Sequence, residues 1–251
     1  MDKYLNNKNI LVTGGSRGIG KAIVEYLLMN NATVGVHFNR HSSSVNELID
    51  KYPAKVFSFQ CNLSQTSNIP AFVDKVINKM GRIDVLVNNA GIAISSDIEG
   101  PDEKWINDWE NTMDVNLNAV GILCKKIIQH FTSNDIEGKI INISSRAAFR
   151  GDTEDYLAYA ASKAGIVAIT RSIARAYGKK GIVAFTVAPG FVKTYMAQQF
   201  FDQYGKEVAL NQIALNTLTT PEDVAPFVGF LALVGFVTII IATIHYLIVG
   251  A

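Results

Sequence analysis

Cysteine is scarce in this chain of 251 residues, and neither sign of charge is in excess: two cysteines occur, and 23 Lys and Arg stand against 22 Asp and Glu. A net charge of +1 predicts no nucleic-acid partner, because such a partner calls for a basic stripe. Cys61 and Cys124 lie too far apart in sequence to indicate a metal or redox pair, and we expect reduced thiols in a cytoplasmic protein. The four histidines show no ligand spacing, so no metal site is predicted.

The end of the chain lacks charge, since no Asp, Glu, Lys or Arg occurs from Val224 to Ala251. A run of this length satisfies the simple rule for a membrane-spanning helix. We favour instead an apolar helix to about Leu233 and then a strand through residues 243–246, because Ile, Val and Thr dominate this end of the chain. That apolar edge would lie at the interface of a homodimer or homotetramer. A membrane-attached tail and an irregular terminus are the alternatives. Residues 1–8 hold no apolar stretch, which predicts no secretory signal.

Two hydrophobic periods alternate along the chain. Short β-rich runs predict strands at residues 9–13, 33–38, 55–60, 83–87, 139–143 and 182–187. Runs with helical spacing predict helices at residues 19–30, 44–52, 67–80, 105–131 (one helix or two) and 157–177, with another beginning at Pro221. The alternation predicts one α/β domain over residues 1–251, a doubly wound parallel sheet with helices on both faces. Residues 191–218 form an irregular or helical excursion from it, and residues 224–251 its apolar end.

A glycine-rich segment, Thr13 to Gly20, separates the first predicted strand from the first helix. Gly14, Gly18 and Gly20 let the chain turn tightly and bring backbone N–H groups and a helix N-terminus close to a diphosphate. The spacing is G-x-x-x-G-x-G rather than the commoner G-x-G-x-x-G, so an ordinary strand–helix turn is the alternative.

The end of the second predicted strand bears on which dinucleotide would bind. An acidic residue there would accept hydrogen bonds from the adenosine ribose and favour NAD(H), but the sequence reads His37-Phe38-Asn39-Arg40. Arg17 and Arg40 instead provide guanidinium groups suited to a 2′-phosphate, which favours NADP(H). The alternative is that Arg40 is a solvated loop residue.

Tyr159 and Lys163 are four residues apart in the long predicted helix and therefore share a face. A nearby ammonium stabilises a phenolate, so the pair predicts a tyrosine with a lowered pKa that transfers protons. Ser145 follows the fifth predicted strand, at the sheet edge where ligands of such folds bind. The alternatives are a packed ring with a solvated charge, and turn capping by Ser144 and Ser145.

Six motifs stand in one order: the glycine segment, Asn88-Asn89-Ala90-Gly91, Asn116, Ser145, Tyr159-x-x-x-Lys163 and Pro189-Gly190. From about residue 8 to about residue 230 the chain resembles the short-chain dehydrogenase/reductases. Among them it is most similar to the 3-oxoacyl-(acyl-carrier-protein) reductases and their relatives. The resemblance implies a Rossmann-type sheet and an NADP(H)-dependent carbonyl reductase or alcohol dehydrogenase.

The resemblance also implies roles for individual residues. Tyr159 would be the acid/base, Lys163 would lower its pKa and hold the nicotinamide ribose, Ser145 would orient the substrate carbonyl, and Asn116 would hold a relay water. The implied cofactor-binding residues are Gly14, Ser16, Arg17, Gly18, Ile19, Gly20, Asn39, Arg40, Asn62, Leu63, Asn89, Ala90, Gly91, Tyr159, Lys163, Pro189, Gly190, Val192 and Thr194. Asn62 stands where the family often has Asp, and Phe185 where it has Asn.

The predicted substrate is a small ketone or 3-oxoacyl compound, which the resemblance allows to be linked to acyl carrier protein. Its specificity should lie in residues 94–104, 147–156 and 191–218, the last of which is rich in aromatic side chains. A non-catalytic dinucleotide sensor or scaffold on the same fold is the alternative. A serine hydrolase is disfavoured, because Ser145 lacks a G-x-S-x-G setting.

Overall fold

A computed structural model describes residues 5–211 and 217–234, whose strands form one six-stranded parallel sheet in the order β3-β2-β1-β4-β5-β6. The strands are β1 (Asn9–Val12), β2 (Thr33–Phe38), β3 (Val56–Gln60), β4 (Val85–Asn88), β5 (Lys139–Ile143) and β6 (Val183–Val187). The helices are α1 (Gly18–Met29), α2 (Ser43–Lys51), α3 (Ile69–Met80), α4 (Asp102–Met113), α5 (Ala119–Ser133), α6 (Ala147–Arg150), α7 (Leu157–Tyr177), α8 (Tyr195–Tyr204), α9 (Lys206–Leu210) and α10 (Pro221–Leu233).

The strand order reverses direction at β1. From β1 the chain moves outward through β2 to β3, then returns to place β4 on the other side of β1 and continues to β5 and β6. Because every pairing is parallel, all six carboxyl ends lie at one edge. The order therefore reverses between β1 and β4, and sheets of this kind bind ligands at the carboxyl edge of such a switch point. The predicted doubly wound parallel sheet is confirmed.

Alternate residues of each strand enter different cores, as the two-residue period of a strand requires. In β1, Ile10 and Val12 face a core shared with α1, α2 and α10, whereas Leu11 faces a core shared with α3, α5 and α7. All three side chains have no exposed surface. The sheet is therefore covered on both faces, which explains why its strands read as continuous apolar runs.

Helix α10 packs against α1 through a small residue. A Cβ atom on Gly229 would lie 2.4 Å from the Tyr26 ring, so glycine permits this close approach. A capping box formed by Thr220 and Asp223 begins the helix, which ends at Leu233 as predicted. The predicted strand at residues 243–246 and its apolar edge lie outside the described residues. Among the helices of residues 5–211 and 217–234, none combines the length and the apolar character that a membrane span requires.

The predicted helical region 105–131 is divided in the structure. A π-helical segment, Asp114–Asn118, joins α4 to α5. Such segments insert one extra residue per turn and often lie at functional sites. In the 191–218 excursion, α8 and α9 occupy residues 195–210, and the isolated pairing of Val192 with Thr219 returns the chain towards α10.

Candidate active site

The end of strand β5 supplies the first candidate catalytic side chain. The strand ends at Ile143, and Ser144 and Ser145 follow it at the carboxyl edge of the sheet. The Ser145 hydroxyl accepts a hydrogen bond from the backbone N–H of Ala147, the first residue of α6, at 3.1 Å. It also forms a hydrogen bond with the Tyr159 phenol. One hydroxyl therefore both holds this turn and contacts the predicted acid.

Lys163 lies one turn after Tyr159 on helix α7 and is buried. Its ammonium donates to the backbone carbonyl of Ile143 at 3.0 Å and lies 5.7 Å from the centre of the Tyr159 ring. The Ser144 hydroxyl donates to the backbone carbonyl of Lys163 at 2.8 Å. These contacts fix α7 to the end of β5. Burial lowers the pKa of Lys163 to about 8.

The pKa of Tyr159 is raised above its ordinary value, chiefly because burial disfavours the phenolate, and the Asp152 carboxylate adds to the effect. The hydrogen bond with Ser145 and the positive charge of Arg146 act in the opposite direction. The net shift is therefore opposite to the lowered pKa expected of Tyr159, because desolvation outweighs the hydrogen bond and the positive charge nearby. The influence of the Lys163 charge on Tyr159 stays a prediction. A phenol with a raised pKa is protonated at neutral pH and is prepared to donate a proton.

Asn116 lies in the π-helical segment and is 1% exposed. Its side-chain amide donates to the Ile92 carbonyl at 2.8 Å and to the Ser162 hydroxyl at 3.1 Å, and its side-chain oxygen accepts from the Ile92 N–H at 2.9 Å. A Cβ atom on Gly91 would lie 3.3 Å from both that oxygen and the Lys163 ammonium. The structure thus brings Asn116, Gly91 and Lys163 together. Because protein groups engage the Asn116 side chain, its water-holding role stays a prediction.

The loop after β4 braces the glycine loop. The Asn89 amide donates to the carbonyls of Thr13 and Gly14 at 2.9 and 3.1 Å. In return, the Thr13 hydroxyl accepts from the backbone N–H groups of Asn89 and Ala90 at 3.0 and 3.1 Å. Asn89, predicted to bind the cofactor, therefore directs its amide at the loop that would cradle the diphosphate.

The glycine loop itself requires glycine at three places. Gly14 and Gly18 have φ values of 64° and 53°, in the left-handed region. A Cβ atom on Gly20 would lie 2.1 Å from the Gly14 carbonyl oxygen. Helix α1 begins at Gly18 and has no acidic side chain in its first turn, so its N-terminus offers an uncompensated positive end to an anion. Ser16, Arg17 and Ile19 complete the loop, and the arrangement fits a dinucleotide diphosphate.

The loop after β2 leads into α2, whose first turn contacts the glycine loop: the Ser44 hydroxyl donates to the Ser16 carbonyl. Asn39 and Arg40 are exposed there, as is Arg17, whose guanidinium lies 5.5 Å from the centre of the Tyr195 ring. The structure therefore places exposed guanidinium groups on two adjoining loops. With no carboxylate at the end of β2, this edge is chemically suited to a phosphorylated ribose.

Two further segments border the same edge. After β3, the Asn62 side-chain oxygen accepts from the backbone N–H and hydroxyl of Ser64, which shapes a turn, and Leu63 is buried beneath it. After β6, Pro189 accepts a hydrogen bond from the Arg146 N–H at 3.1 Å. In the segment that follows, Gly190 is exposed and Val192 is buried. Thr194 caps α8, and its side chain would lie 3.4 Å from a Cβ atom on Gly18.

His37, for which the sequence predicts no role, joins the glycine loop after β1 to the loop after β3. Its Nδ1 accepts a hydrogen bond from the Gly14 N–H at 3.1 Å, and its Nε2 lies 3.0 Å from the Cys61 carbonyl, to which it donates. The ring is 2% exposed and packs edge-on against Phe72. Burial lowers the pKa of His37 to about 4, although the bond to Cys61 opposes the shift. A neutral ring thus holds the glycine loop in place; the sequence signal was a histidine inside an apolar strand.

Tyr159 packs against a cluster of aromatic side chains. Tyr156 and Phe200 are buried in a cluster that also contains Phe191, Phe201, Tyr204 and Tyr159 itself. Phe191 lies 5.1 Å from Phe200 between ring centres, and the Arg146 guanidinium lies 3.9 Å above Phe191. The reactive phenol therefore borders an apolar wall, built in part by the predicted 191–218 segment.

Comparison with known proteins gives this geometry a family context. The family model described as short chain dehydrogenase matches residues 8–205. The chain is 34% identical to the 3-oxoacyl-(acyl-carrier-protein) reductase FabG of Chlamydia muridarum, with 92% of each covered. It is 31% identical to glucose 1-dehydrogenase 2 of Bacillus subtilis, with 92% of this chain and 90% of that protein covered. A short chain dehydrogenase from Burkholderia cenocepacia, solved in complex with NADP, has a TM-score of 0.82 and 29% identity over 91% of each chain.

The neutral state of His37 predicts a pH-dependent stability. In the unfolded chain the His37 ring binds a proton below about pH 6.5, but in the folded protein only below about pH 4. Its contribution to the free energy of unfolding is therefore present above pH 6.5 and is lost as pH falls towards 4. Urea unfolding at about pH 7 and about pH 5 should show that wild type loses roughly 2 kcal/mol more than His37→Asn between these conditions. An equal loss in the two proteins would contradict a buried neutral histidine.

Proposed function

The chain belongs to the short-chain dehydrogenase family, and we propose that it reduces the carbonyl group of a ketone or 3-oxoacyl compound with NADPH. As a member of this family it is an oxidoreductase that uses a nicotinamide dinucleotide. One observation carries the proposal. The Tyr159 phenol, protonated and hydrogen-bonded to Ser145, lies beside the buried Lys163 ammonium at the carboxyl edge of the sheet.

Each of these side chains has a role in reduction. When bound, the nicotinamide ring supplies the hydride. Ser145 donates a hydrogen bond to the substrate oxygen and orients the carbonyl, while Tyr159 delivers a proton to that oxygen as negative charge develops on it. Lys163 provides the positive charge that favours the resulting phenolate. Its attachment to Ile143 holds it in place throughout.

Asn116 is a positioning residue in the proposed reaction. Its side chain fixes Ile92, and hence Gly91, against the Lys163 ammonium. The absence of a side chain on Gly91 keeps the space beside that ammonium open to the nicotinamide ribose hydroxyls. The catalytic set is thus Asn116, Ser145, Tyr159 and Lys163, with the first as a support and the other three in contact with substrate or cofactor.

The substrate class rests on the wall beside Tyr159. Rings from residues 156, 191, 200 and 201 offer apolar surface to the part of a substrate next to its carbonyl. An acyl chain suits this surface better than a sugar does, since sugar hydroxyls would lose hydrogen bonds to water there. The similarity to 3-oxoacyl-(acyl-carrier-protein) reductases supports the same class, including a carrier-linked thioester.

The choice of NADP(H) over NAD(H) rests on Arg17 and Arg40. Both are exposed on loops that meet at the adenosine end of the crevice, where β2 ends without an acidic residue. A 2′-phosphate bound between them gains charge-assisted hydrogen bonds that an unphosphorylated ribose does not offer. The similar Burkholderia cenocepacia protein was solved with NADP, which supports this choice. Assembly as a homodimer or homotetramer stays a prediction.

Replacing Tyr159 by Phe tests the acid role. With the proton donor removed and the ring retained, turnover of the acetoacetyl thioester of N-acetylcysteamine should fall about 1,000-fold or more, because general acid catalysis contributes on the order of 10²–10⁴. NADPH affinity, measured by fluorescence titration, should change less than about threefold. Tyr177→Phe, at the far end of the same helix, is the matched control. Turnover near the wild-type rate in Tyr159→Phe would remove the assignment.

Cofactor preference is tested by removing the two guanidinium groups. The double variant Arg17→Leu/Arg40→Leu should lower kcat/KM for NADPH about tenfold or more and leave that for NADH nearly unchanged, because hydrogen bonds to charged groups contribute about 1.5–3 kcal/mol. Steady-state kinetics with each coenzyme measure the ratio. Arg171→Leu, an exposed arginine on α7, is the control. A ratio that stays at the wild-type value would show that phosphate recognition does not depend on these residues.

A further inference from the structure

We propose that Asp155 is a positioning residue that anchors helix α8 beside Tyr159 through Tyr204 and Gln203, and thereby sets the shape of the substrate site. The inference rests on the proposed function, because it concerns the same apolar wall. It adds a role for three polar side chains that take no part in the chemistry.

One carboxylate oxygen of Asp155 accepts the hydrogen bonds that hold α8. Asp155 Oδ2 accepts hydrogen bonds from the Tyr204 hydroxyl, from the Gln203 amide at 2.8 Å and from the Ser95 hydroxyl at 3.4 Å. The Gln203 amide also donates to Ser95 at 3.1 Å, and the Gln203 side-chain oxygen accepts from Tyr156 at 3.4 Å. Residues from three separate segments thus meet at one negative charge. Charge-assisted hydrogen bonds are stronger than neutral ones.

The carboxylate is itself fixed close to the reactive phenol. Asp155 lies one helical turn before Tyr159, in the short 3₁₀ turn that leads into α7. Its backbone carbonyl accepts from the Ser96 N–H at 2.9 Å, which ties it to the loop after β4. A shift of α8 relative to Asp155 is therefore a shift relative to Tyr159.

The anchored helix carries the wall. Phe200, one turn before Tyr204 on α8, packs against Tyr204 at 4.7 Å, Phe191 at 5.1 Å and Tyr156 at 6.3 Å between ring centres. At its other end, α8 is capped by Thr194, which lies next to Gly18 of the glycine loop. The helix thus spans from the cofactor crevice to the Asp155 contact. Loss of the Asp155 contact would release the C-terminal end of α8, and its aromatic rings could then move away from Tyr159.

Helix α8 also offers a matched control. On its exposed side, the Gln198 amide donates to Asp202 at 2.8 Å, a contact of similar chemistry within the helix itself. Because this pair does not reach another segment, its loss should leave the position of α8 unchanged. Comparison of the two sites separates anchoring from general helix stability.

The test compares Tyr204→Phe, Asp155→Ala and Asp155→Asn with the control Asp202→Ala. Tyr204→Phe deletes one hydroxyl and keeps the ring, so it should raise KM for the acetoacetyl thioester of N-acetylcysteamine about fivefold, with kcat and KM for NADPH within about twofold. Asp155→Ala should raise that KM further. Asp155→Asn retains an oxygen that accepts, so it should restore part of the loss.

Amide hydrogen exchange of residues 195–204 provides a second readout that requires no turnover. Exchange of these α8 amides should be about tenfold faster in Tyr204→Phe and Asp155→Ala than in wild type, and exchange across α7 should be unchanged. Unchanged exchange and KM in Tyr204→Phe, or equal changes in Asp202→Ala, would overturn the anchor. A wild-type protein inactive on 3-oxoacyl thioesters would overturn the proposed substrate class instead, and the exchange rates alone would then decide the anchor.

Discussion

The buried Lys163 ammonium joins helix α7 to the sheet, and the geometry of the candidate active site depends on this contact. Lys163 donates to the last carbonyl of β5, while Ser144, just beyond the strand, donates back to the Lys163 carbonyl. The two bonds set the height of α7 above the sheet edge and so place Tyr159 opposite Ser145. Burial also determines the charge of the pair, because it raises the pKa of Tyr159 and lowers that of Lys163 to about 8.

A second set of buried polar contacts prepares the cofactor crevice. The glycine loop is held from one side by Asn89 and from the other by the neutral ring of His37. Each of these side chains satisfies backbone groups that would otherwise lose hydrogen bonds at the switch point of the sheet. The loop is therefore formed by its neighbours as much as by its own glycines, which supports binding with little reorganisation.

The sequence was sufficient to predict what depends on local pattern. Strand β5 and helix α7 have the predicted bounds, because apolar periodicity and the glycines around them are local signals. The resemblance carried by the motifs also implied that Ser145, Tyr159 and Lys163 act together, and the structure brings them together. The bridge by His37 and the anchor at Asp155 join residues 23 to 49 positions apart, and no local pattern encodes them. The direction in which the pKa of Tyr159 shifts depends on burial, and the spacing of Tyr159 and Lys163 in the sequence does not reveal burial.

The charge of Lys163 supports proton transfer from Tyr159 in the proposed reduction, and the pH dependence of kcat for carbonyl reduction measures this support. Since the Tyr159 phenol titrates above its ordinary pKa and Lys163 near 8, the rate should fall as pH rises through about 8. In Lys163→Met the rate should be low at every pH and should lack that step. A wild-type rate that stays flat through pH 8, or the same step in the variant, would show that the Lys163 charge has no part in the proton transfer.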